Sequence, residues 1–143
     1  MRLNLFIVLL FLLTVLHGLG QEGTIALKIH DVKDAVGQLR IGIFDKPSDF
    51  KNKENPVYKK SVLLKDTLVE VNFEHVANGQ YAIAVYHDEN NDFQLNQKKL
   101  GIPAEGVGFS GVSKSKIKPP DFDVASFHFA EDTTIHLHLR YPK

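Results

Sequence analysis

The sequence has no cysteine, no tryptophan and a single methionine in 143 residues. Without cysteine there can be no disulfide, no thiolate metal ligand, no cysteine nucleophile and no acylated cysteine of a lipoprotein anchor. An excess of either charge sign is also missing, since Lys+Arg and Asp+Glu both number 17. That balance argues against nucleic acid as a partner, because a binder of that kind normally carries a basic stripe. It also gives little attraction to anionic lipid. Beyond the first twenty residues no long window carries the apolar stripe of an amphipathic helix, no segment repeats, and nothing is simple enough in composition to be a linker.

At the start of the chain, Arg2 precedes an apolar run from Leu3 to Leu16, followed by Gly18-Leu19-Gly20. A basic start, an apolar stretch too short to cross a bilayer and small residues at the end are the layout of a secretory signal. The pattern predicts a signal peptide over residues 1–20, cleavage near Gly20, and one exported domain over residues 21–143. That domain would be periplasmic or extracellular, with no transmembrane segment in the mature chain.

The rest is dominated by alternation. Thr24–His30 sets Ile25, Leu27 and Ile29 on one face, and Gln38–Phe44 does the same with Leu39, Ile41 and Ile43. Thr67–Phe73 and Thr133–Tyr141 alternate likewise, Val124–Phe129 supplies Phe127 and Phe129, and Gln80–His87 is apolar on both faces. Val57–Leu64, interrupted by Lys59 and Lys60, reads as an edge strand. Pro47-Ser48-Asp49-Phe50 is the one place for a short helical turn. About seven short strands separated by turn signals predict an all-β chain, an antiparallel β-sandwich with long loops at one end. The Asn78-Gly79-Gln80-Tyr81 segment reads as a turn of the type that tolerates positive φ, opening a buried strand. It resembles the corner of transthyretin-like and carboxypeptidase-regulatory-like sandwiches.

The stretch from Asp88 to Asp123 shows no regular pattern, and a run of that length in a small domain is either functional or held by something bound. Asp88, Asn90 and Asp92 sit at alternate positions, with Gln94 at the seventh. Oxygen side chains so spaced can converge on a hard cation, the seventh position lending a backbone carbonyl. This predicts a weak calcium site at Asp88, Asn90, Asp92 and Gln94, with Glu105 or Asp121 completing the shell. Phe93 stands where such loops carry glycine, and Lys99 where they carry a bidentate glutamate. The competing reading is a loop whose Asx side chains bond their own backbone. Leu100–Gly111 carries four glycines and a proline and reads as a packed Ω-type loop plugged by Ile102 and Phe109. Lys114–Lys118 reads as a solvated basic tip. His136 and His138 share one strand face, and His128 joins them if its strand forms a hairpin with theirs. Paired imidazoles of this kind can take zinc or copper, while exposed histidines on a sheet face are the plainer reading.

Three segments carry a resemblance to a known family: Gly79-Gln-Tyr-Ala-Ile-Ala-Val-Tyr-His-Asp-Glu-Asn90, Leu100-Gly-Ile-Pro-Ala-Glu-Gly-Val-Gly-Phe-Ser110 and Pro119-Pro-Asp-Phe-Asp-Val-Ala125. With Gly37-Gln-Leu-Arg-Ile-Gly-Ile-Phe-Asp45 they resemble a bacterial family catalogued as domain of unknown function 2141. The resemblance implies an exported β-sandwich and supplies no activity. Members usually have Asn-Gly-Asn and an Asp where this chain has Asn91-Asp92-Phe93 and Asn96, so the resemblance implies a cation loop altered here. The sequence therefore points to a non-enzymatic exported module that binds an envelope protein or a glycan through its loop end, around His87, Glu105, Phe109, Ser110 and Asp121. The alternative is a hydrolase built on His87, Asp88, Glu105 and Ser110.

Overall fold

Alternation builds two sheets, and the sites follow from how these stack. The computed structural model describes residues 21–112 and 118–142. The expected leader and most of the Lys114–Lys118 tip lie outside the described residues. One sheet has three strands: β1 (Glu22–His30) lies between β4 (Val69–Ala77) and β8 (Thr133–His138). The other runs β3 (Tyr58–Leu63), β2 (Gln38–Phe44), β5 (Gly79–Asp88), β6 (Val107–Phe109), with β7 (Phe127–Phe129) also paired to β5. Two short α-helices, α1 (Pro47–Asn52) and α2 (Phe122–Ala125), and a 3-10 turn at Lys99–Gly101 complete the regular structure of the described residues. The all-β sandwich is as expected, and β3 is an edge strand.

Side chains alternating inward from both sheets fill the space between them. Ile25, Leu27 and Ile29 of β1 meet Leu39, Ile41 and Ile43 of β2 and Ile83 and Val85 of β5 in one cluster. Val71, Phe73, Leu137 and Leu139 are buried in the same cluster, and Phe127 packs against it half-buried. A second, smaller cluster lies on the opposite face of the five-stranded sheet. There Phe44, Ala82 and Phe109 are covered by Phe50 of α1 and Ala125 of α2. This is why Gln80–His87 is apolar on both faces: β5 is packed on each side at one end. Phe50 sits edge-on to Phe44, Phe109 and Phe122 at ring separations of 5.7–6.2 Å, the arrangement aromatic quadrupoles favour.

Four expectations are corrected. First, β1 and β8 pair in parallel, Ile25 opposite Thr133 through His30 opposite His138, so the sandwich is mixed rather than purely antiparallel. Second, the step from Val69–Ala77 to Gly79–Asp88 is not a positive-φ turn. β4 and β5 belong to different sheets, and Asn78 is the single residue by which the chain crosses between them. Neither Asn78 nor Gly79 takes positive φ. The left-handed residue is His75, at φ 56°, beside the shift in β1–β4 register. The crossing is held instead by Tyr81, whose hydroxyl donates to the Ala77 carbonyl at 2.9 Å. Third, Val124 and Ala125 are helical, so that strand begins only at Phe127. β7 then pairs with β5, while β8 pairs with β1, which removes the expected hairpin between them. Fourth, the glycine-rich run is not wholly loop: Val107–Phe109 forms β6. Phe109 is buried as expected, but Ile102 is 46% exposed and plugs nothing.

Candidate functional site

Four polar side chains singled out in the sequence are buried, and each is bound to backbone. His87 is fully buried. Its Nε2 lies 2.6 Å from the Val36 carbonyl, which can only accept, so Nε2 carries the proton. Nδ1 then accepts the Tyr141 hydroxyl at 2.7 Å. That hydroxyl in turn accepts the Lys33 amide at 3.1 Å, and burial pushes the Tyr141 phenol up to about 12. Ser110 accepts the Ile83 amide at 2.8 Å and donates to the Ala125 carbonyl at 2.7 Å, tying β5 to α2. Glu105 takes the Glu89 amide on Oε1 at 3.0 Å and the Asn96 amide on Oε2 at 2.9 Å. His87, Glu105 and Ser110 thus bond to three different parts of the backbone, His87 also to the Tyr141 hydroxyl.

Asp88, fully buried at the end of β5, organises the loop after it. Its Oδ2 accepts Gln38 Nε2 at 2.9 Å and the Phe93 amide at 3.1 Å, and its Oδ1 accepts the Asp92 amide at 3.1 Å. Asp92 Oδ1 accepts the Gln94 amide at 2.8 Å, and its Oδ2 accepts the side-chain amides of Asn90 and Asn96 at 3.0 and 2.9 Å. These donors, Asn96 foremost, lower the Asp92 pKa. Phe93 stands at φ 66°, in the left-handed region where such a loop would ordinarily place glycine. Asp88, Asn90 and Asp92 therefore come together, joined by Asn96, which the spacing did not single out, and their carboxylate oxygens accept from N–H donors. Gln94 contributes its backbone amide, and Glu105 closes the loop from below with both oxygens occupied. Asp121 begins α2, where its carbonyl accepts the Val124 and Ala125 amides at 3.1 Å. Among the described residues no group of three or more His, Asp or Glu side chains has the geometry to hold a metal ion. The arrangement is that of a self-bonded Asx loop.

The histidine expectation changes partner. His128, opposite Gln80 on β7, does not join His136 and His138. His30 of β1 does, because the parallel β1–β8 pair sets these three residues on one face. His30 Nε2 and His136 Nδ1 are 2.9 Å apart, and the His30 ring stacks on His138 with centroids 4.8 Å apart. His138 Nδ1 donates to the Asp31 carboxylate at 2.7 Å.

A concavity of about 730 Å³ lies on the outer face of the five-stranded sheet. Strand register builds it. One row across the sheet reads Lys59, Gly42, Ala84, Phe109, and the next reads Ser61, Arg40, Tyr86, Val107. Gly42 and Ala84 face each other at the centre of the first row, and the Phe44 ring and Pro56 lean over Gly42, where a Cβ would stand 2.9 Å from the ring and 3.3 Å from Pro56. Phe44 and Phe109 close one end beneath the helices. Phe93 and Leu95 of the Asp88–Asn96 loop form the other, with Tyr86 donating from its hydroxyl to the Phe93 carbonyl at 3.1 Å. The Arg40 guanidinium lies 5.0 Å from the centre of the Phe93 ring. Arg40 and Tyr86 are in contact. Burial raises the Tyr86 pKa, and the Arg40 charge partly offsets that rise. Sequence reasoning missed this groove. Its signal was two small residues, Gly42 and Ala84, on the outward face of strands otherwise rich in large side chains.

The sequence profile of a family described as uncharacterized protein conserved in bacteria (DUF2141) matches residues 27–136. The chain belongs to this family. The match takes in every strand of both sheets except the first half of β1 and the end of β8, so it covers the groove and the Asx loop alike. Comparison with curated proteins and with solved structures returns no match.

Proposed function

We propose that this member of the DUF2141 family is an exported, non-enzymatic binding module whose ligand lies in the groove of the five-stranded sheet. The observation that carries the reading is the Gly42–Ala84 pair. Two small residues opposite one another, Gly42 partly covered by the Phe44 ring and Pro56, sit in a concavity with aromatic ends that falls within the size range of small-molecule sites. The hydrolase alternative draws no support from His87, Glu105 and Ser110, which act as struts between strands and loops. The export half of the proposal rests on the pattern of residues 1–20. Among the described residues no helix is long and apolar enough to cross a membrane.

Both halves are tested on protein expressed with its own N-terminus. Intact mass of the material outside the cytoplasm is expected to begin at Gln21, and a chain retaining Met1 to Leu16 overturns export. Native mass spectrometry of the same material is expected to show a small bound molecule. Ala84→Trp, which fills the floor from an outward position, is expected to remove it while leaving the circular dichroism spectrum unchanged. A bound molecule retained in the folded Ala84→Trp variant, or none in the wild type and no groove-dependent binding across a ligand panel, overturns the groove.

A further inference from the structure

Resting on that reading of the groove, we infer that its ligand is a single-chain organic carboxylate, an acyl chain with one anionic end. Charge on the groove is of one sign. Arg40, Lys53, Lys59 and Lys60 line it, and no carboxylate does. Lys60 turns inward, its Nζ donating to the Asn72 carbonyl and lying 5.1 Å from the Phe73 ring centre. Arg40, Lys53 and Lys59 make no ion pair among the described residues. In a chain with equal numbers of acids and bases, three cations that form no ion pair among the described residues, around a concavity lined by no carboxylate, are a local charge excess.

Arg40 has the geometry to bind an oxyanion. Its planar guanidinium offers a fork of donors matching a carboxylate edge, and it lies against the Phe93 ring, 5.0 Å from the ring centre. Lys59, one residue row away across β2, supplies a second point charge at the open edge of the sheet.

The remaining surface chooses the body of the ligand. Gly42, Ala84, Val107, Phe109 and Leu95 offer hydrocarbon and little hydrogen bonding. A sugar would bring many hydroxyls and find only Ser61, Gln94 and Tyr86 as uncharged side-chain polar partners in the lining, the Tyr86 hydroxyl already donating to the Phe93 carbonyl, which leaves polar groups unpaired on an apolar floor. An inorganic anion would use the cations and leave the floor uncovered. A polymethylene chain matches the floor, gaining about 0.8 kcal/mol for each methylene removed from water.

The test follows amide NMR shifts of the chain from Gln21 onward while dodecanoate is added below its micelle concentration. Saturable shifts are expected at Gly42, Ala84 and Lys59. Acetate at the same concentrations is expected to produce none, and dodecyltrimethylammonium, which has the chain with the opposite charge, is expected not to saturate. The Arg40→Gln/Lys59→Gln double variant, both positions being outward on the sheet, is expected to weaken dodecanoate by about tenfold or more with its other amides unmoved. Acetate equal to dodecanoate overturns the apolar body. Equal affinity for the cationic amphiphile, or an unchanged double variant, overturns the anion. If a neutral molecule is instead bound natively and released by Ala84→Trp, the carboxylate inference falls while the groove stands. If neither amphiphile shifts the groove amides and nothing is bound natively, both fall.

Discussion

At Glu105 one side chain holds two distant points of a loop, because each carboxylate oxygen takes a different backbone amide, from Glu89 and from Asn96. Glu105→Gln turns one acceptor into a donor facing an amide N–H and leaves that buried group unpaired, at a cost of about 1–3 kcal/mol. Urea unfolding should show a lower midpoint with an unchanged slope. Tyrosine ionisation acts at the same scale with a definite sign. Tyr81 and Tyr141 are raised to about 12, chiefly by burial, with Tyr58 adding to the shift at Tyr81. Folding therefore favours the neutral phenols. The stability they contribute is full below the unfolded value near 10 and is lost as pH rises through about 12. Tyrosinate absorbance and circular dichroism recorded together should show two of the four tyrosines ionising only as the fold is lost.

At the scale of elements, β6 is fixed by what it lacks. A Cβ on Gly108 would lie 2.2 Å from Leu137 Cδ2 and 2.9 Å from the His138 carbonyl oxygen. Gly108→Ala therefore drives β6 into β8 and should cost about 1–3 kcal/mol, readable as a fall in thermal midpoint. The Asx loop gives a second test at this scale. With Asp88 and Asp92 already bonded to N–H donors, calcium to about 10 mM, above the weak extracellular range, should leave the midpoint unchanged. A rise that Asp92→Asn removes would assign the loop to calcium. These two segments also show what a sequence discloses. The long strands were readable because a half-buried surface forces period two over seven to ten residues. Three residues of β6 among glycines, and four of α2, are too short to show any period. The spacing of Asp88, Asn90 and Asp92 correctly brought those side chains together. It was silent on whether their oxygens would face a cation or the loop's own amides, since that depends on Glu105 arriving from another segment. The groove was hidden for a similar reason: Gly42 and Ala84 become neighbours only through the β2–β5 register.

For the whole molecule, the two apolar clusters lie on opposite faces of one sheet and share β2 and β5. Loss of either should loosen the other. Leu137→Ala in the larger cluster should cost about 2–5 kcal/mol, and Phe50→Ala beneath α1 about 3–5 kcal/mol. Both are expected to shift one cooperative transition, and two separate transitions would show that the clusters unfold independently. The parallel pairing of β1 with β8 has a temporal consequence. Thr24 at the first strand binds Asp132 beside the last, 108 residues later. A nascent chain therefore emerges with its central first strand lacking one neighbour until nearly all of it has been synthesised. Closing a loop of that length is entropically costly and slow, so completion of the three-stranded sheet is the late event on the folding path. The order of the strands thus acts as a clock, holding the three-stranded sheet open until the C-terminal strand is free to pair.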